Sequence, residues 1–339
     1  MTQHQEIDQT LAGLGEVRRS VARVIVGQQS VVDDLLIALI SGGHCLLEGV
    51  PGLGKTLLLR TLGVALDLPF GRIQFTPDLM PADIIGSELL VEGDGGRRFE
   101  FQPGPVFHSL LLADEINRTP PRTQAALLEA MGEGSVTWSG QQHSLPQPFF
   151  VMATQNPLEQ AGTYPLPEAQ LDRFLLQVRI DYPDLEQEIE ILERTTGTES
   201  MTAEPVMDRD AVMRARALVR EVPISTELLR YTAQLIRATR PDDPTAPSSI
   251  TEWVRWGAGP RAGQALVVCA KARAMLNGRL SVTVADLHAV APSVLRHRLI
   301  LNYHAQTEHY EADSVIADLL QAFPEPADPL TAVADGSAK

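Results

Sequence analysis

Residues 49 to 56 read GVPGLGKT, and their spacing suits one kind of chemistry. A loop that wraps a phosphate chain must turn several backbone N–H groups inward and let the chain come close. Gly49, Gly52 and Gly54 permit both, with Val50, Pro51 and Leu53 supplying the backbone between them. Lys55 adds a positive charge with the reach for β- and γ-phosphates, and the Thr56 hydroxyl can ligate Mg2+. The bland alternative is a glycine-rich turn with its lysine in solvent. The flanks favour the functional reading. HCLLEG (His44 to Gly49) is a short apolar run that reads as a buried strand, and TLLLRTLGVAL (Thr56 to Leu66) reads as a helix whose N-terminus would face the anion.

A second constellation follows in SLLLADEINR (Ser109 to Arg118), where an apolar strand ends in adjacent carboxylates. Asp114 can hold the Mg2+ shell, while Glu115 can polarise a water for attack on the γ-phosphate. Helix capping or ion pairing is the structural alternative. FFVMATQNP (Phe149 to Pro157) is another apolar strand ending in a polar residue. Asn156 would sit beside the γ-phosphate and position the water, or simply make an Asn-Pro turn. LPEAQLDRF (Leu166 to Phe174) puts Arg173 just before a strand, where it cannot easily reach its own phosphate loop but could serve a neighbour's as an arginine finger. A local Asp172–Arg173 surface pair is the alternative. GAGPRA (Gly257 to Ala262) starts a later helix with Arg261, a candidate phosphate sensor or a solvated helix arginine.

These groups need a frame. Apolar runs His44 to Gly49, Phe70 to Phe75, Ser109 to Asp114, Phe149 to Gln155 and Phe174 to Ile180 alternate with helical stretches, predicting a mostly parallel five-stranded sheet with helices on both faces. Two helices, broken near VGQQ (Val26 to Gln29), precede it. Leu89 to Phe101 and Ser135 to Leu145 carry turn residues between alternating flanks and read as hairpins. After Asp181 and Pro183 only helices are predicted, over Asp184 to Arg194, Arg209 to Arg220, Thr226 to Thr239, Pro260 to Leu276, Thr283 to Leu295 and Ala312 to Phe323. The division expected is therefore an α/β nucleotide-binding domain over 1–182, an all-helical domain over 183–325, and a disordered tail over 326–339.

Composition narrows the function classes. At 339 residues and 44% apolar content the chain suits a two-domain globular protein. Its net charge of −15 opposes nucleic-acid binding, and only Lys55, Lys271 and Lys339 are lysines. The polar start, MTQHQEIDQT, predicts no signal peptide, and no apolar run is long enough to span a membrane. Cys45 and Cys269 lack metal-ligand spacing and read as buried thiols of a cytoplasmic protein.

Together the motifs resemble the AAA+ ATPases. The wording of VGQQSVVDDLLIALISGGHCLLEGVPGLGKT, RIQFTPDLMPADIIG, GPVFHSLLLADEINRTPPRTQAALLEAM and PFFVMATQNPLEQAGTYPLPEAQLDRFLLQV is similar to the MoxR family, over roughly residues 20 to 305. The resemblance implies the helix-two-insert branch, with the helical domain as a lid. It implies ATP and Mg2+ as ligands, Asn156 as sensor 1, Arg173 as the finger, and Arg261 as sensor 2 acting in cis or in trans. It further implies a ring, hexameric by expectation, that remodels or matures a protein client, often with a partner carrying a von Willebrand factor A domain. Gly259 departs from the family's usual GASPRA. The competing readings are a magnesium-chelatase-like motor and a slow nucleotide-switched scaffold. The water-polarising Glu115 argues against the scaffold. No unfoldase-type pore loop is visible, so threading is the least favoured mode of remodelling.

Overall fold

A computed structural model describes residues 3–93, 96–157, 162–197 and 201–324. They pack into two compact units. One runs to Val219 and includes Leu276–Gly278, and the other comprises Arg220–Met275 and the chain from Arg279 onward. The expected tail, 326–339, lies outside the described residues.

In the first unit α1 (Gln3–Ala22) and α2 (Gln29–Ser41) lead to β1 (Cys45–Glu48). The predicted break between the helices falls at Gly27 and Gln28, both with left-handed φ, 63° and 53°. Then come α3 (Lys55–Ala65), β2 (Phe70–Gln74), α4 (Pro81–Ile85), β3 (Gly86–Gly93), β4 (Gly96–Pro103), β5 (Leu110–Asp114) and α5 (Pro121–Glu133). After them follow β6 (Ser135–Trp138), β7 (Gln141–Ser144), β8 (Phe150–Gln155), α6 (Glu168–Leu171), β9 (Leu176–Arg179), α7 (Leu185–Thr196) and α8 (Arg209–Glu221).

Five of these strands form one parallel sheet in the order β2-β5-β8-β1-β9. Helices cover both faces of a parallel sheet, so its inner strands are apolar throughout rather than alternating. Leu46, Leu47, Leu111, Leu112, Val151 and Met152 are accordingly all buried. His44 is buried just before β1. Its Nδ1 accepts from the Val151 N–H at 3.0 Å, and Nε2 faces the Met131 carbonyl at 3.2 Å. Because Nδ1 accepts, Nε2 carries the ring proton and donates it. Burial, aided by the Arg216 charge and opposed by the Met131 bond, pushes the His44 pKa down to about 4, so the ring is neutral.

Both expected hairpins form, as β3–β4 and β6–β7. They meet where Phe101 stacks on His143, ring centroids 4.3 Å apart.

The units divide later than the change of rhythm at 182/183. The chain after β9 stays tied to the α/β layer. Arg194 Nη1 donates to the Arg23 carbonyl at 2.8 Å, the Val206 N–H to Ala65 at 2.8 Å, and Arg216 Nε to Leu39 at 2.8 Å. Sequence periodicity reports a helix's amphipathicity but not which unit its apolar face joins.

The second unit contains α9 (Thr226–Ala238), α10 (Ser248–Trp253), β10 (Val254–Trp256), α11 (Pro260–Leu276), α12 (Val284–Leu295), β11 (Ile300–Leu301), α13 (Tyr303–Thr307) and α14 (Ala312–Ala322). β10 and β11 pair antiparallel. No strand was expected after 183, and these two are too short to show alternation. Asp286 is fully buried at the start of α12. It accepts from Arg279 at 2.6 and 2.8 Å, Arg273 at 2.7 Å and the Thr283 hydroxyl at 2.8 Å. Burial alone would raise its pKa, but these donors outweigh it and keep the carboxylate ionised. Among the described residues no helix is long and apolar enough to cross a membrane.

Candidate active site

The loop from Gly49 to Gly54 leaves β1 at the C-terminal edge of the sheet and enters α3. Its glycines are needed for different reasons. A Cβ on Gly49 would collide with the side chain and carbonyl of Ile180. Gly52 and Gly54 instead have φ of 89° and 75°, a region that side chains disfavour, with open space where a Cβ would stand. Gly54 is the N-cap of α3 and makes no side-chain cap, so the first N–H groups of the helix face the loop. Pro51, Gly52 and Gly54 are exposed, while Val50, Leu53, Lys55 and Thr56 are half-buried. Lys55 Nζ donates to the Gly49 carbonyl. Burial lowers the Lys55 pKa, and the carboxylates of Asp114, Glu115 and Glu48 pull the other way.

β5 lies between β2 and β8 and delivers Asp114 and Glu115 to the same edge. Thr154 of β8 serves both: its hydroxyl donates to Asp114 Oδ1 at 2.7 Å and accepts from the Glu115 N–H at 2.9 Å. β2 supplies the other side. Arg72 donates to Asp114 Oδ2 at 2.7 Å, and Gln74 Nε2 to Glu115 Oε2 at 2.6 Å. Arg118 donates to the same Oε2 at 3.0 Å. Glu115 has left-handed backbone angles, φ 57° and ψ 51°, a conformation that costs a non-glycine residue on the order of 1 kcal/mol or more. That strain turns the carboxylate sharply off the strand end.

The other predicted residues divide into two groups. Asn156 is buried directly after β8, and the Gly49 N–H donates to the carbonyl of its neighbour Gln155 at 3.3 Å, so Asn156 lies at the root of the phosphate loop. Arg173 is not brought to this site. It precedes β9, at the N-terminal edge of the sheet, where its Nη1 donates to the Leu128 carbonyl of α5 at 2.7 Å. Arg261 is an exposed residue of the first turn of α11 and belongs to the second unit.

Sequence reasoning missed part of the site. A cavity of about 160 Å³ beside Gly52 and Leu53 is lined by Ile25, Val26, Pro183 and Ile191, among others. Gln28 joins this wall to the loop, donating to the Leu53 carbonyl at 3.2 Å. The signal is the VIVGQ stretch, whose glycine marks a helix break and also turns an apolar wall toward the loop. Gln74, Arg72 and Thr154 were also missed, because their roles depend on strand order.

The residues fit a magnesium nucleotide. The loop and the uncapped helix end suit phosphates, and the apolar cavity suits a flat base. Among the described residues no group of three or more His, Cys, Asp or Glu side chains could hold a metal by itself. A cation here would rely on Thr56, Asp114 and phosphate oxygens, the donor set that Mg2+ takes.

The chain is similar to known proteins over most of its length. Residues 44–176 match the model of the ATPase family associated with various cellular activities (AAA), and residues 248–319 match that of the AAA lid domain. The chain is 42% identical over 301 residues to Chaperone MoxR1 of Mycobacterium tuberculosis, covering 89% of this chain and 79% of that one. It is 34% identical over 297 residues to Protein MoxR of Paracoccus denitrificans, covering 82% and 86%. The solved structure of a candidate ATPase from Cytophaga hutchinsonii superposes with a TM-score of 0.88 at 40% identity, covering 95% of this chain and 97% of that one.

Proposed function

Since the chain belongs to the MoxR family of AAA+ ATPases, we propose that it hydrolyses ATP with Mg2+ in a six-membered ring and uses the cycle to remodel or mature a protein complex. The observation that carries the hydrolytic part is the convergence of Lys55, Asp114, Glu115 and Asn156 on one edge of one sheet. The loop N–H groups and Lys55 hold the β- and γ-phosphates, and the apolar wall at Val26 and Ile191 holds the base. Thr56 and Asp114 would hold Mg2+, which when bound would neutralise charge on the phosphate oxygens. Glu115 takes the proton of the attacking water, which Asn156 helps to orient. Arg173 completes a neighbouring copy's site, and Arg261 senses the phosphate state in cis or in trans.

Client remodelling rests on kinship, including a relative named as a chaperone. A partner with a von Willebrand factor A domain belongs to the same proposal. The test is ATP turnover per subunit against protein concentration. A rate that rises steeply as rings assemble is expected; a rate per subunit independent of concentration and assembly state would remove the ring from the reading.

A further inference from the structure

A concavity of the second unit lies along α11, the helix whose first turn carries Arg261. It is a trough of about 630 Å³ between α9 and α11. Leu229, Ala233 and Ile236 line it from α9 at helical spacing, Arg240 from the turn after it, and Pro260, Gln264, Val268 and Lys271 from α11 at helical spacing. The helices run antiparallel along it. Arg240 Nε donates to the Ala258 carbonyl at 3.3 Å at one end, and Lys271 Nζ to the Arg220 carbonyl at 3.3 Å at the other. From Pro260 to Lys271 α11 rises about 16 Å, roughly three turns.

Its chemistry is lopsided. The floor is aliphatic, with Leu229 44% exposed. Four cations line it, Arg237 and Arg240 toward one end and Arg220 and Lys271 at the other, and among the described residues no carboxylate does. This occurs in a chain whose net charge is −15. Arg237 is engaged by Asp243 at 3.0 Å. Arg220 and Lys271 instead stand beside each other as like charges, and both burial and the Arg220 charge lower the Lys271 pKa. An anion set between them would relieve that repulsion.

We propose that this trough is a docking site for a partner protein's amphipathic helix, three turns long, with a central aliphatic stripe and carboxylates near its ends. A helix laid in a groove reads such a surface by apolar anchors at three- and four-residue spacing, while the end charges fix its register. The cations at both ends and the missing carboxylates favour an acidic occupant over a basic or neutral one.

The experiment uses the full chain and two fluorescein-labelled synthetic helices of fourteen residues. Both carry leucines at three- and four-residue spacing; one has glutamates at both ends and its twin has lysines. Fluorescence anisotropy should show saturable binding of the acidic helix that weakens with salt, with the lysine twin at least about tenfold weaker. Arg220→Glu combined with Lys271→Glu should weaken the acidic helix about tenfold and strengthen the lysine twin, a swap that misfolding does not produce. Absence of saturable binding, or equal binding by native and reversed proteins, overturns the proposal. So does tighter binding after removal of residues 325–339, which would give the trough to the chain's own acidic end. Loss of self-association in the reversed protein, seen by sedimentation velocity, would give it to a second copy and overturn the proposal as well.

Discussion

Gln74 reaches across from β2 to hold Glu115, its Nε2 donating to Oε2 at 2.6 Å. The Arg118 bond falls on the same oxygen, at 3.0 Å. Under the proposed role Oε1 is the atom left to receive a proton from water, and Gln74 would be a positioning residue. Gln74→Leu should lower kcat about tenfold with KM unchanged, because the carboxylate survives but loses its aim. Steady-state kinetics separates the two constants. A rise in KM at constant kcat would mean that Gln74 serves binding instead.

Lys55→Ala and Glu115→Gln should split binding from turnover. Without the Lys55 charge, calorimetry should show ATP affinity falling by about 2 kcal/mol or more. Glu115→Gln keeps the shape and removes the base, so affinity should hold while hydrolysis drops about 10²-fold or more. Unchanged affinity in the first variant, or normal turnover in the second, would undo the corresponding assignment.

Arg173→Ala should leave ATP binding intact, since Arg173 contacts α5 and not its own phosphate loop. Hydrolysis should fall about 10³-fold. Mixing Arg173→Ala with Glu115→Gln subunits should restore part of the activity, because each supplies what the other lacks. If mixed rings form and nothing is restored, Arg173 does not act on a neighbour.

His44 predicts an acid weakness of the fold. Its pKa is near 4 when folded against 6.5 when free, so between those values the unfolded chain binds a proton that the folded one excludes. Stability is thus fully present above about pH 6.5 and is lost as pH falls toward 4, by on the order of 3 kcal/mol at most. Urea midpoints measured from pH 7 to 4.5 should decline in the native protein. In His44→Gln the decline should be shallower.

Much of this was legible in the sequence, and the gaps have physical causes. Five apolar runs located five strands, and glycine spacing located the phosphate loop. Strand order was not legible, because a parallel strand does not name its neighbours. Gln74 shows its role only where β2 lies beside β5, with Gln74 opposite Asp114. Thr154 was hidden in the same way. The cavity wall at Ile25, Val26 and Ile191 joins stretches more than a hundred residues apart, which local patterning cannot bring together. His44 read as the start of an apolar strand, and only burial against Met131 and Val151 reveals its role.

Arg173 precedes β9 and the phosphate loop follows β1, so under the proposed role a subunit's donor and acceptor lie on opposite edges of one sheet. Where contact runs head to tail, as in the proposed ring, a dimer completes one site and leaves one donor and one acceptor unused. An open arc of n subunits then holds n − 1 complete sites and one idle end, and only closure of the circle brings the last site into use. Turnover per subunit would therefore climb with arc length and step up once more on closure, which makes the rate itself a gauge of whether the assembly has sealed.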